Sequence, residues 1–114
     1  MRSALLVLLT SASIAAAGEV QLSGREAEAV QEATRIFKSK QGSKVNGYPV
    51  YGDLAHYTVN LTRKGKQLEI DFVPEQPPLK PNEAGTGGGT KYGWEVVYVF
   101  SLNPFKLVEE HYTR

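Results

Sequence analysis

The chain has 114 residues, with 13 Lys and Arg against 12 Asp and Glu, and no cysteine. This length supports one compact domain. The formal charge of +1 gives no electrostatic reason to expect nucleic acid or an anionic membrane as the main partner. The lack of cysteine excludes disulfides, thiol nucleophiles and zinc–thiolate sites.

The first 17 residues have the pattern of a secretory signal peptide. Arg2 forms a minimal positive n-region, residues 4–9 are a short apolar run, and Ala15–Ala17 supplies the small residues that signal peptidase requires. The apolar run is too short to span a bilayer. We therefore expect cleavage near Ala17, no later membrane contact, a periplasmic or secreted location, and a single domain over residues 18–114.

One amphipathic helix is predicted between residues 22 and 41. Ser23 and Glu26 fit a capping box, in which the two side chains satisfy each other's backbone amides. Small and apolar residues then recur with a period of 3.6, and Gly42 is the predicted stop. The apolar stripe, which would pack against a sheet, comprises Ala27, Val30, Ala33, Thr34 and Phe37.

After the helix the period changes to two, which predicts antiparallel strands. The predicted strands cover residues 48–51, 57–62, 68–72, 92–102 and 107–112. A polar turn, Arg63–Lys66, closes the first hairpin. Between the hairpins, residues 74–91 are rich in proline and glycine and predict a long flexible loop.

One helix followed by four or five meandering strands resembles the cystatin-like fold over residues 22–113. The resemblance implies an α+β domain in which the helix packs across one face of a curled antiparallel sheet. Cystatin inhibitors carry Q-x-V-x-G at the first hairpin tip and Pro-Trp in the second hairpin. Here these places hold Arg63–Lys66 and Asn103–Phe105, so inhibition of cysteine proteases is not implied.

The polar face of the first hairpin is where acid–base chemistry is predicted. We expect Leu61 to pair with Leu68, so that Asn60 faces Glu69 and Thr58 faces Asp71. Glu69 and Asp71, two apart on one strand, then lie side by side about 6–7 Å apart on the wet face. His56 would lie near the strand end. Such paired carboxylates suit a small hydrolase or isomerase, whereas solubility alone also explains charged residues on a wet strand face. No catalytic residue is assigned beyond that alternative.

No motif points to a cofactor or a metal. The glycine-rich run at 85–91 places Thr before Lys and precedes a strand, so it lacks the order and setting of a phosphate-binding Walker loop. His56 and His111 have no second histidine at ligand spacing. We therefore predict neither a cofactor nor a metal site.

The exposed turn and the long loop are the predicted binding surfaces, because long loops in small domains are often functional. The candidate binding residues are Arg63, Lys64, Lys66, Thr86, Lys91 and Tyr92. The leading hypothesis is an exported, non-catalytic module that binds another protein, of inhibitor or immunity type, as a monomer or weak homodimer. The alternatives are the hydrolase or isomerase, and a structural envelope protein that self-associates through a strand edge.

Overall fold

A computed structural model describes residues 18–77 and 89–113. It contains helix α1 (Gly24–Ser39), strands β1 (Lys44–Val45) and β2 (Tyr48–Pro49), a 3-10 turn (Leu54–His56), and strands β3 (Tyr57–Lys64), β4 (Gln67–Pro74), β5 (Gly89–Thr90), β6 (Gly93–Leu102) and β7 (Phe105–Thr113). The predicted α+β class is confirmed. The predicted signal peptide and Thr86 lie outside the described residues.

The helix begins at the predicted capping box. The Glu26 amide donates to Ser23 Oγ at 3.1 Å, and the Ser23 amide donates to Glu26 Oε1 at 2.9 Å. The buried stripe starts one residue earlier than predicted. It comprises Glu26, Ala29, Ala33 and Phe37. Ala27 and Val30 are only half-buried, because Glu26 turns inward to a partner on the sheet.

Four long strands form an antiparallel sheet in the order β3-β4-β6-β7, and the two-residue β5 pairs with the start of β6. The predicted loop over 74–91 is therefore shorter at both ends. Pro74 closes β4, and Gly89–Thr90 belongs to a strand. A small separate hairpin, β1–β2, turns at Asn46 and Gly47, whose φ angles of 53° and 83° suit a type I′ turn.

The predicted register of the first hairpin is wrong by two residues. Leu61 pairs with Ile70 rather than Leu68, and Asn60 faces Asp71. The turn is Gly65–Lys66, with Gly65 at φ 61°, which matches a type II′ turn with glycine first. A shift of two keeps every side chain on its predicted face, because side chains alternate with a period of two.

The helix covers the inner face of the sheet, over β4 and β6. Phe37 is fully buried at the centre, stacked on Phe72 with ring centroids 4.8 Å apart and edge-on to Tyr57 and Tyr51. The buried core cluster comprises Ala29, Ala33, Phe37, Val50, Tyr51, Leu68, Ile70, Phe72, Trp94, Val96, Tyr98 and Phe100. Six of these twelve residues are aromatic, so aromatic packing forms much of the core of this chain, which has no cysteine.

Two glycines let the chain segment before β3 cross the start of β6. A Cβ at Gly52 would lie 1.7 Å from the Tyr92 carbonyl oxygen, and one at Gly93 would lie 2.1 Å from Tyr57 Oη. Tyr57 Oη donates to the Trp94 carbonyl at 3.0 Å. This close crossing holds the backbone at Tyr92 and Gly93 against the segment before β3.

Replacing Phe37 by Ala should lower the free energy of unfolding by about 3–5 kcal/mol, because the change opens a cavity at the centre of the aromatic cluster. Urea denaturation followed by circular dichroism measures the effect. Tyr48→Ala is the control, since Tyr48 is 69% exposed and its loss should change stability by less than about 0.5 kcal/mol. A loss below about 1 kcal/mol for Phe37→Ala would contradict this description of the core.

Candidate functional site

Arg63, a predicted binding residue, links the hairpin to the helix. Its Nε donates to Glu26 Oε2 at 2.6 Å, and its Nη2 donates to Glu26 Oε1 at 3.0 Å and to the Gln21 carbonyl at 2.8 Å. The Glu26 side chain is only 8% exposed. Hydrogen bonds from Arg63, and then from the Ser23 amide, lower the pKa of Glu26 from 4.5 to about 2. The guanidinium is thus engaged within the molecule.

The other predicted basic residues of the hairpin turn are exposed. Lys64 Nζ donates to Glu69 Oε1 at 2.8 Å, and this contact raises the pKa of Lys64. The Lys66 carbonyl accepts from the Leu102 amide at 3.0 Å, which ties the turn to the end of β6. The Lys66 side chain lies on the surface.

At the opposite end of the sheet, four residues form a surface of stacked rings and charges. His56 and Tyr92 are stacked with centroids 4.2 Å apart and an interplanar angle of 11°. Lys91 Nζ lies 5.2 Å from the centroid of the Tyr92 ring, and His56 Nδ1 is 3.3 Å from Glu75 Oε1. We call these four residues the His56–Tyr92 surface. Its residues come from both sides of residues 78–88 in the chain: His56 and Glu75 precede that range, and Lys91 and Tyr92 follow it.

The predicted binding residues therefore fall into two groups. Lys66 is held beside Leu102, ten residues along the chain from Tyr92. At about 3.3 Å per residue in a strand, the hairpin turn lies about 30 Å from the His56–Tyr92 surface. The structure brings Lys91 and Tyr92 together with His56, and places Arg63, Lys64 and Lys66 apart from them.

The helix-free face of the sheet holds the predicted carboxylates. One cross-strand row runs from Asn60 through Asp71 and Val97 to His111. Glu95 lies on the same face, two residues before Val97, and is therefore a diagonal neighbour of Asp71. His111 Nδ1 is 2.7 Å from Glu109 Oε2 on the outer strand.

Asp71 is the strongly perturbed acid of this face. Burial, then a hydrogen bond and charge repulsion from Glu95, and finally repulsion from Glu69, raise its pKa from 3.8 to about 7. Asp71 Oδ1 is buried and accepts no hydrogen bond from the described residues. Burial and the neighbouring Glu95 therefore both favour the neutral form of Asp71.

The predicted group of Glu69, Asp71 and His56 is not assembled as expected. Glu69 turns to Lys64, and His56 lies four residues before Asn60, which faces Asp71; that is about 13 Å of extended chain. Sequence reasoning missed Glu95. Its alternation with Trp94 is the signal that could have placed it on the opposite face from the core, but only the register between β4 and β6 shows which acid it neighbours.

Within residues 18–77 and 89–113, no group of three or more acidic or histidine side chains is arranged to hold a metal ion. No helix in that part of the chain is long and apolar enough to cross a membrane. No protein-family model, curated protein or solved structure matches the chain.

Replacing Glu26 by Gln should remove a stabilisation that depends on pH. Because the folded pKa of about 2 lies below the ordinary 4.5, the stabilisation is complete above pH 4.5 and is lost as the pH falls toward 2. The stability gap between the native protein and Glu26→Gln should therefore shrink from pH 6 to pH 3.

Urea unfolding at several pH values measures this gap. Glu28→Gln is the matched control, because Glu28 pairs with Arg25 on the exposed side of the same helix. A gap for Glu26→Gln that is equal at pH 6 and pH 3 would show that the ion pair with Arg63 does not hold the carboxylate ionised.

Proposed function

We propose that this protein is an exported, non-catalytic module that binds another protein through the His56–Tyr92 surface. The observation that carries the proposal is the stacked pair of His56 and Tyr92 at the end of the sheet. We further propose that the domain is arranged as in cystatin-like proteins, with the helix in the curl of the sheet and the binding surface at one end.

The chemistry of the surface suits a polypeptide partner. Aromatic side chains supply much contact area at low conformational cost, and they are enriched among the residues that dominate binding energy. Tyr92 is already held by His56 on one side and by the close crossing at Gly93 behind it. Little conformational freedom is therefore lost when it binds a partner. Lys91 and Glu75 place one charge of each sign at the rim, which favours a partner with mixed charge.

An inhibitor or an immunity protein is the concrete form of this proposal. Both act by covering a surface of their target, and neither needs a nucleophile, a metal or a cofactor. Electrostatic steering by net charge is not required either, since the chain carries a formal charge of only +1.

The test compares capture of envelope proteins from the source cells by three forms of the purified protein. A specific partner should bind the native protein and Lys66→Ala alike, and bind Tyr92→Ala about tenfold more weakly or worse, because the aromatic contact is lost. Lys66 is the control, since it is exposed at the far end of the sheet. Equal binding of the partner to Tyr92→Ala and to the native protein would contradict the proposal.

A small hydrolase or isomerase is the second candidate, and the raised pKa of Asp71 favours it. A carboxyl group with a pKa of about 7 can both give and take a proton at neutral pH, as general acid–base catalysis requires. In this candidate Asp71 acts with Glu95 as its neighbouring base. Glu69, paired with Lys64, and His56, stacked on Tyr92, take no part.

If this candidate holds, a panel of simple esters, amides and glycosides should include one that the protein turns over. Asp71→Asn should then lower the rate about 100-fold or more, because the transferable proton is removed. Glu109→Gln is the control on the same face, and the native rate should bend near pH 7. No turnover of any substrate, or equal turnover by Asp71→Asn, would contradict catalysis.

A further inference from the structure

The two outer strands of the sheet differ in how well they are protected against pairing with another strand. β7 carries charged side chains at Lys106, Glu109 and Glu110, and its register with β6 is interrupted at Val99/Phe100. Charges and bulges of this kind are how natural sheets block their edges. The outer side of β7 is therefore a poor template for a further strand.

Over residues 57–62 the opposite outer strand, β3, lacks these features, and its charges are confined to Arg63 and Lys64 at the hairpin end. Residues 57–62 contain no charge, proline or glycine, and the strand pairs with β4 without a break over all eight residues. Among the described residues, β4 is the only strand that pairs with β3. The outer backbone N–H and C=O groups of residues 57–62 are thus regularly spaced and flanked by uncharged side chains, so they can pair with another strand.

The inner face of β3 is also incompletely covered. The helix packs over β4 and β6, so Val59 remains 38% exposed and Leu61 half-buried. A strand added beside β3 with apolar residues at the same level would extend the inner face and cover both side chains. The added strand must therefore alternate apolar and polar residues as β3 does.

β3 itself meets that requirement. In an antiparallel pair about a two-fold axis at Asn60, Val59 faces Leu61 of the second copy, and Thr58 faces Thr62 of the second copy. The two Asn60 side chains face each other. Facing residues share one side of a sheet, so over residues 58–62 apolar pairs fall on the inner face and neutral polar pairs on the outer face. Only at the ends of this stretch does Tyr57 face Arg63 of the second copy.

Neighbouring registers are less favourable. An axis at Leu61 sets Arg63 against Val59 and Lys64 against Thr58. An axis at Val59 sets Leu61 against Tyr57 and shortens the paired stretch. The small formal charge of the chain adds no strong repulsion between two copies.

We propose that two copies of this chain associate through β3, antiparallel about a two-fold axis at Asn60, so that their sheets join into one. This inference goes beyond protein binding by the His56–Tyr92 surface and stands on different residues. Four residues separate His56 from the axis, so the two His56 side chains would be held about 26 Å apart. The pair would thus present two binding surfaces on one rigid body.

The first test measures mass against concentration by light scattering and sedimentation of the purified protein. The native protein should form a dimer with rising concentration. Asn60→Lys sets two like charges opposite each other and should raise the dissociation constant about tenfold or more. Val108→Lys, which adds the same charge to the exposed side of β7, should leave it unchanged.

The second test determines the register by disulfide crosslinking. Because the chain has no native cysteine, any disulfide must form through the introduced residue. Asn60→Cys should form a covalent dimer on mild oxidation, because the two side chains face each other at the axis. Thr62→Cys should not, since each lies about 13 Å along the strand from its counterpart. A monomer at every concentration, a dimer broken by Val108→Lys instead of Asn60→Lys, or faster crosslinking through position 62 would overturn the proposal.

Discussion

The packing of α1 against the inner face of the sheet is the constraint on which the rest of the structure depends. There is no disulfide to close the chain, and Phe37 is the residue at which helix and sheet meet. Its stack with Phe72 and its edge contacts with Tyr51 and Tyr57 join the helix to β4, to the segment before β3 and to β3 itself. Loss of this contact would therefore release several elements at once.

That packing leaves the other face of the sheet without a helix, and one carboxyl on each side shows how differently the two faces hold an acid. Glu26, at the inner side, is held ionised by Arg63, whereas Asp71, on the helix-free face, is held neutral by burial and by Glu95. Their effects on stability run in opposite directions. As the pH falls below 4.5, the contact of Glu26 contributes less to the stability of the fold. As the pH rises toward 7, Asp71 lowers that stability, because its carboxyl ionises more readily in the unfolded chain than beside Glu95.

Local features of the sequence were sufficient to predict the helix, its capping box, both hairpins and the alternation of the strands, since each depends on residues close in the chain. The hairpin register was missed because it depends on which residue takes the left-handed position in the turn, and Gly65 takes the first place. Inward placement of Glu26 and the neighbourhood of Asp71 and Glu95 depend on residues far apart in sequence. Only the assembled sheet brings them together.

Contacts between residues far apart in sequence also explain why the predicted binding residues lie in two separate groups. Charge and exposure alone gave Arg63 and Tyr92 the same weight. Arg63, however, completes the helix start, while Tyr92 lies in the turn whose backbone packs closely against Gly52. A side chain already bound within the molecule must lose a partner before it can meet another. Tyr92, by contrast, is engaged through ring contacts with His56 and Lys91 and not through an ion pair. Preorganisation, more than charge, therefore separates the proposed binding surface from the residues that hold the fold.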